Sequence, residues 1–415
     1  MDVGCYMAHE QSLIATLAIG LGLAFLLGLL AVRLRLPPLI GFLLAGVFIG
    51  PHTPGWVADV HLAPQLAEIG VVLLMFGVGT HFSLRELLAV KAIAVPGALA
   101  QIIVATALGA AAARLWGWSF GAGIIFGLAL SVASTVVLLR ALAERDTLKS
   151  ADGQIAVGWL VVEDLITVLA LVLLPALAGV LGGEVPHVLG AAGGNLWLTL
   201  AVTLGKVALF VALMLVIGAR VFPWILKHVA GTRSRELFTL AVIALSLGVA
   251  FGASKLFDVS VALGAFFAGM VINGSELSHR AASNLEPLQD TFTALFFVAV
   301  GMLFEPLVLV QHPLEVLTVL GIIVVGKSLA AFIIVLLLRR PLRTALTVAA
   351  ALAQIGEFSF ILAVMGLDLK LLPAQGQSYI VAGALLSITL NPLLFRLLPA
   401  SVTTAAKAPT PAALA

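Results

Sequence analysis

Between about residues 11 and 398 the chain alternates long apolar runs with short polar connections. A helix needs roughly 20 apolar residues to cross the hydrocarbon core of a bilayer. The runs predict thirteen spans, at about 11–32, 38–50, 64–80, 92–115, 120–139, 155–181, 196–221, 235–256, 260–273, 287–303, 314–338, 343–366 and 379–398. The second and ninth are short and carry glycine, so they are expected to tilt or to be enclosed by protein, where irregular backbone is tolerated. The expected class is an all-α polytopic membrane protein.

The basic residues support an odd number of crossings. With the connections numbered in order, the odd ones and the C-terminal tail hold seventeen of the 22 Lys and Arg residues. The even ones hold only Arg114, Lys255 and Lys370, while Lys206 and Lys327 lie inside spans. Such asymmetry marks the cytoplasmic side, so the N-terminus is expected outside and the tail in the cytoplasm. The first ten residues carry Asp2 and Glu10 but no Lys or Arg, unlike the basic start of a signal peptide.

The two ends of the chain also resemble each other. Leu39–Gly50 (LIGFLLAGVFIG) matches Ala262–Asn273 (ALGAFFAGMVIN) at an offset of 223, aligning Gly41, Ala45, Gly46 and Ile49 with Gly264, Ala268, Gly269 and Ile272. The following spans agree at 222, where Leu66, Glu68, Leu73, Gly79 and Phe82 meet Leu288, Asp290, Leu295, Gly301 and Phe304. Span 2 then corresponds to span 9, seven crossings later, and an odd shift inverts the orientation. Two inverted halves, about 11–181 and 235–398, joined by a linker helix at about 196–221, form the architecture of many secondary transporters, whose site lies near the midplane between repeats.

Candidate chemistry falls on the same matched segments. Span 5 carries Ser131, Ser134 and Thr135 at its centre, and span 12, its counterpart at 222, carries Gln354, Gly356 and Glu357. Small polar residues and glycine at mid-membrane permit a break in the helix, whose freed backbone groups can coordinate ions. Any one of the three hydroxyl residues could merely pack helices together, but the two matched interruptions point jointly to a transport site. Glu163 and Asp164 follow in span 6. Neighbours on a helix point about 100° apart, so one is expected to line the ion path and the other to face a partner. That partner is expected to be Lys327, deep in span 11, with a purely structural ion pair as the competing explanation. Glu357 either binds the ion or, the favoured reading, offsets the positive ends of two half-helices. Lys206, Glu68 and Asp290 are read as packing or solvated span ends.

Composition narrows the classes. Of 415 residues, 62% are hydrophobic and 10% charged, and the mean hydropathy is +1.19, which leaves little room for a soluble domain. A single cysteine, Cys5, excludes an internal disulfide, and eight dispersed histidines without a His-x-x-x-His pair offer neither a resident metal nor a nucleophile with its base. No enzyme, cofactor or nucleic-acid partner is expected.

With these residues in view, the chain resembles the monovalent cation:proton antiporter-2 family, in its KefB/KefC-like branch with YbaL/RosB-type members. The resemblance covers residues 11–398 and rests on segments such as LLMFGVGTHFSL (73–84), LALSVASTVVLLRAL (128–142), GQIAVGWLVVEDLITVL (153–169), ALGAFFAGMVINGSELSHR (262–280), LFFVAVGMLF (295–304) and LAQIGEFSFIL (352–362). It implies a thirteen-helix NhaA-like fold with two crossed broken helices, spans 5 and 12, in a core that moves against a dimerisation scaffold. It also implies a homodimer among the lipids of a bacterial inner membrane. By the same match, Asp164 is the ion- and proton-binding carboxylate. Glu163 stands where electrogenic relatives carry an acidic residue paired to a lysine, and the potassium-efflux relatives carry glutamine. Many relatives continue into a Rossmann-type regulatory domain. Here an Ala/Pro/Thr-rich tail, 399–415, is expected to be disordered, and no G-x-G-x-x-G follows a predicted strand.

The expected activity is exchange of a monovalent cation, K⁺ before Na⁺, for H⁺ at Asp164, Glu163, Ser134 and Thr135, completed by freed carbonyls of span 5. Lys327 and Glu357 would balance charge there. A gated K⁺ efflux channel would need a run of carbonyl donors, and the only candidate is GVGT at 77–80. A solute symporter on the same fold is the other alternative.

Overall fold

The computed structural model describes residues 3–54, 57–59, 62–81, 84–143, 145–148, 150–184, 196–257, 259–275 and 277–397. The tail 399–415 lies outside the described residues. All regular structure among them is helical. The first half comprises α1 (Val3–Arg33), α2 (Pro38–Ile49), α3 (Leu62–His81), α4 (Leu84–Leu115), α5 (Phe120–Ser131), α6 (Thr135–Ala143) and α7 (Ala151–Leu177). The second half comprises α8 (Leu196–Leu213), α9 (Ala219–Gly231), α10 (Arg235–Phe257), α11 (Val261–Asn273), α12 (Ser278–Met302), α13 (Val308–Gln311), α14 (Pro313–Gly321), α15 (Ser328–Leu337), α16 (Leu342–Ala351), α17 (Glu357–Asp368) and α18 (Ala374–Leu397). One π-helical stretch, Met214–Gly218, joins α8 to α9, and another, Ile322–Lys327, joins α14 to α15.

Local chemistry explains several starts. Ser119 caps α5 by accepting the Ala122 N–H at 3.1 Å, and Ser260 caps α11 by accepting that of Leu263 at 3.3 Å. Proline at the first helical position opens α2 and α14, where its missing N–H costs nothing. Helix α1 begins at Val3, earlier than the apolar run from 11, because a helix can continue beyond the stretch that hydropathy detects. Eight helices among the described residues are long and apolar enough to cross a membrane, and α2 and α11 are shorter apolar helices. Large apolar side chains such as Phe25, Phe251 and Leu337 are more than 60% exposed, as suits helices whose solvent is lipid.

The chain forms two compact units. The first holds Met1–Ser83, Val168–Val310 and Leu367–Leu371, and the second Leu84–Thr167, Gln311–Gly366 and Leu372–Ala415. Each therefore draws helices from both halves of the sequence.

Within the first unit the repeat is visible in two close approaches. Gly46 of α2 lies on Gly301 of α12, and a Cβ added at Gly46 would sit 1.9 Å from the Val298 carbonyl oxygen. Gly79 of α3 lies on Gly269 of α11, and a Cβ added at Gly269 would sit 2.1 Å from the Phe76 carbonyl oxygen. Since Gly46 matches Gly269 and Gly79 matches Gly301 in sequence, each contact is the repeat image of the other. Only glycine allows helices this near.

Candidate functional site

The nine candidate site residues, Ser131, Ser134, Thr135, Glu163, Asp164, Lys327, Gln354, Gly356 and Glu357, all lie in the second unit. Helix α5 ends at Ser131 and α6 begins at Thr135, leaving Val132–Ser134 outside helix. The repeat-related interruption runs over 352–356, between α16 and α17. Broken helices expose N–H and C=O groups that need partners wherever water is excluded, and each interruption supplies partners for the other. The Ser134 N–H donates to Gln354 Oε1 at 2.9 Å, and Gln354 Nε2 donates to the Ser134 carbonyl at 3.2 Å. Ser359 Oγ donates to the Val132 carbonyl at 3.5 Å. Gly356 makes this contact possible, because a Cβ there would lie 2.4 Å from the Ser134 Cα.

The carboxylates gather around this contact. Glu163 is fully buried, and its Oε2 accepts the Ala133 N–H at 2.9 Å. Asp164, 6% exposed, faces the start of α6, where Thr135 Oγ1 donates to its Oδ2 at 3.3 Å. No donor among the described residues reaches Asp164 Oδ1 or Glu163 Oε1, although both atoms are buried. Glu357 opens α17, and its Oε2 accepts from Ser134 Oγ at 3.1 Å. Ser134 Oγ in turn caps α6 through the Val137 N–H at 3.4 Å. The Glu357 carboxylate thus sits at the N-terminal ends of both α6 and α17, where a negative charge is favourable. Glu163 and Glu357 both lie near enough to Asp164 to repel it.

Two expectations change. Lys327, fully buried, donates to the Gln354 carbonyl at 2.9 Å rather than pairing directly with Glu163. It remains within electrostatic range of that carboxylate. The Gln354 carbonyl lies where 352–356 leaves the helix, so it is free to accept from the lysine, which closes a π-helical stretch. The carbonyls expected to complete an ion shell are mostly engaged as well. Those of Ser131, Val132 and Ser134 accept from Gln101, Ser359 and Gln354. The side-chain oxygen atoms here without a donor among the described residues are Asp164 Oδ1 and Glu163 Oε1. Ser131 itself turns its hydroxyl back to the Leu128 carbonyl at 2.7 Å.

Glu68 and Asp290 are exposed residues of the first unit. Sequence reading overlooked Gln101 and Trp159, both fully buried. The Trp159 indole N–H donates to Gln101 Oε1 at 3.3 Å, and Gln101 Nε2 donates to the Ser131 carbonyl at 3.1 Å. The available signal was one amide in the middle of the apolar span 92–115.

This arrangement, buried carboxyl oxygens beside interrupted helices, can hold a proton or a small cation. No group of three His, Cys, Asp or Glu residues among those described is arranged for a resident metal. The family profile described as sodium/hydrogen exchanger, transmembrane, matches residues 21–398, which contain the whole site. The chain is 62% identical over 393 residues to YbaL of Escherichia coli (strain K12), a candidate cation/proton antiporter, covering 94% of this chain and 69% of that protein. It is 34% identical over 368 residues to K(+) efflux antiporter 4 of Arabidopsis thaliana, covering 88% of this chain and 60% of that protein. In fold it is similar to the sodium proton antiporter MjNhaP1 from Methanocaldococcus jannaschii, with a TM-score of 0.71 at 17% identity over 93% of this chain and 99% of that one. On these grounds the chain belongs to the sodium/hydrogen exchanger family of membrane proteins.

Proposed function

We propose that this chain exchanges a monovalent cation, K⁺ in preference to Na⁺, for H⁺ by alternating access of the Asp164 site. The observation that carries the reading is a buried carboxylate whose Oδ1 has no donor among the described residues, set beside a helix interruption. A hard monovalent cation suits oxygen ligands. Thr135 Oγ1 is the neighbouring ligand, and Glu163, bonded to the Ala133 N–H, lies at the same interruption. Proton and cation compete for Asp164. Moving a bare charge across a low-dielectric barrier is costly, so only the loaded site crosses, and exchange proceeds without leak.

On this reading the chain crosses the membrane thirteen times, with the N-terminus outside. The second unit, which holds every site residue, is the body that alternates. The protein acts as a homodimer in a bacterial inner membrane. The preference for K⁺ follows the likeness to the K(+) efflux antiporter of Arabidopsis.

Sealed vesicles holding the purified protein, acid inside and carrying a pH-sensitive dye, test this reading. K⁺, Na⁺ and Li⁺ are added in turn to the protein and to Asp164→Asn. Proton efflux driven by K⁺ and lost in the variant is expected. No cation-dependent proton flux from folded protein would sink antiport, and a K⁺ leak surviving in the variant would indicate a gated channel instead.

A further inference from the structure

Helix α7 is tied to the interruption between α5 and α6 at two levels, by its carboxylates and, one turn earlier, by Trp159, whose indole N–H is shared between Gln101 and the Glu163 carboxylate. Glu163 Oε2 holds the Ala133 N–H directly. One turn earlier on the same face, Trp159 reaches the interruption through Gln101, whose oxygen accepts the indole N–H and whose amide donates to the Ser131 carbonyl. That carbonyl closes α5 and has lost its helical donor because the helix stops there. The ring is seated in a notch of α4: at Gly97, one turn from Gln101, a Cβ would lie 2.2 Å from the Trp159 ring.

A buried glutamine is costly unless both ends of its amide are satisfied, and here both are. The other interruption is served differently, since Lys327 supplies the donor to the Gln354 carbonyl. At an offset of 222, Gln101 corresponds to Ile323, which carries no hydrogen-bonding group. The amide is therefore not a feature of the repeat scaffold. The end of α16 beside the other interruption takes its buried amide from a different helix, where Asn391 Nδ2 of α18 donates to the Ala350 carbonyl at 2.8 Å.

We propose that Gln101 and Trp159 form a strut that fixes the roll of α7 against this interruption, making Gln101 a positioning residue for cation binding at Asp164. Without this strut, α7 is held to the interruption through the neighbouring carboxylates Glu163 and Asp164 alone, both at one level of the helix. The strut adds a tie one turn away, which limits the roll of α7 and keeps Asp164 opposite Thr135. The inference rests on the reading of Asp164 as the ion site, and its test keeps the two separable.

The vesicle assay is run over a cation titration with Gln101→Met, Trp159→Phe, the double variant and Asp164→Asn. The methionine keeps the volume and removes both hydrogen bonds, whereas phenylalanine removes the indole N–H. Each single change should raise the half-saturating cation concentration roughly tenfold, the scale of one buried hydrogen bond lost, with little change in maximal rate. The double variant should be no worse than the singles, because one broken strut is already broken. Folded Gln101→Met with unchanged half-saturation while Asp164→Asn is inactive overturns the strut alone, as does multiplication of the two single effects. Cation-dependent flux retained by Asp164→Asn overturns the site reading and the strut with it. If Gln101→Met fails to fold, Gln101→Leu takes its place: a raised half-saturation supports the strut, and an unchanged one, in it or in Trp159→Phe, overturns it.

Discussion

Gln354 and Ser134, 220 residues apart in sequence, hold each other through both ends of one amide. The side chain of one completes the backbone of the other, as a neighbouring strand would. Orphan groups at a helix break have no water to turn to inside a membrane. This bond lets two interruptions satisfy each other directly and explains why the polar residues of spans 5 and 12 converge.

Replacing Gln354 by Leu leaves the Ser134 N–H buried without its acceptor, at about 1–3 kcal/mol, while the Ser134 carbonyl keeps the Leu138 N–H at 3.1 Å. Gln354→Leu is therefore expected to lose thermal stability in detergent and to lose exchange. Gln354→Glu, which keeps an acceptor for the Ser134 N–H, should lose less stability. Melting curves of both variants check this order.

Glu357 accepts from Ser134 Oγ and sits where α6 and α17 begin. In Glu357→Gln the hydrogen-bond acceptor survives and the charge does not. Loss of the interaction with two helix ends should cost about 0.3–2 kcal/mol, with the half-saturating cation concentration unchanged. A folded variant that no longer saturates with cation would instead make Glu357 an ion ligand.

The ammonium of Lys327 touches a neutral carbonyl and lies in the field of Glu163. If the lysine carries charge through the cycle, exchange responds to membrane potential. Lys327→Gln, which still offers a donor to the Gln354 carbonyl, should fold and exchange without that response. Vesicle assays under a potential set by a thiocyanate gradient distinguish the two. A native protein indifferent to potential would remove the lysine from the transported charge.

Gly46 is in backbone contact with Val298 and Gly301, whereas Gly22 of α1 has nothing within 4 Å of the position a Cβ would take. Gly46→Ala should push α2 off α12 and sharply reduce the yield of folded protein. Gly22→Ala should be neutral, or stabilising by about 0.5–1 kcal/mol through helix propensity. Equal yields of the two variants would contradict the close approach.

Much of the site was legible in the sequence because burying charge is costly. Glu163, Asp164 and Lys327 stand out in apolar runs, and the paired interruptions mark themselves by small polar residues at a common offset. Gln101 did not stand out, since a single amide in a span is also what a packing contact looks like. Lys327 is paired by the sequence with Glu163, the charge that attracts it over distance. Its nearest acceptor is a carbonyl that is free only because 352–356 leaves the helix.

The sequence by itself determined the helical class, the matched segments at offsets of 222 and 223, and the polar residues that need partners. Apolar run length, side-chain charge and periodicity are local properties of the chain. Only the tertiary structure decided which partner each group takes. It set Gly46 on Gly301 and Gly79 on Gly269, gave the carbonyls of Ser131, Val132 and Ser134 to Gln101, Ser359 and Gln354, and left Asp164 Oδ1 without a donor among the described residues. Hydrogen bonds are short and directional, so pairing depends on how helices far apart in sequence are brought together, and spacing along the chain does not encode that.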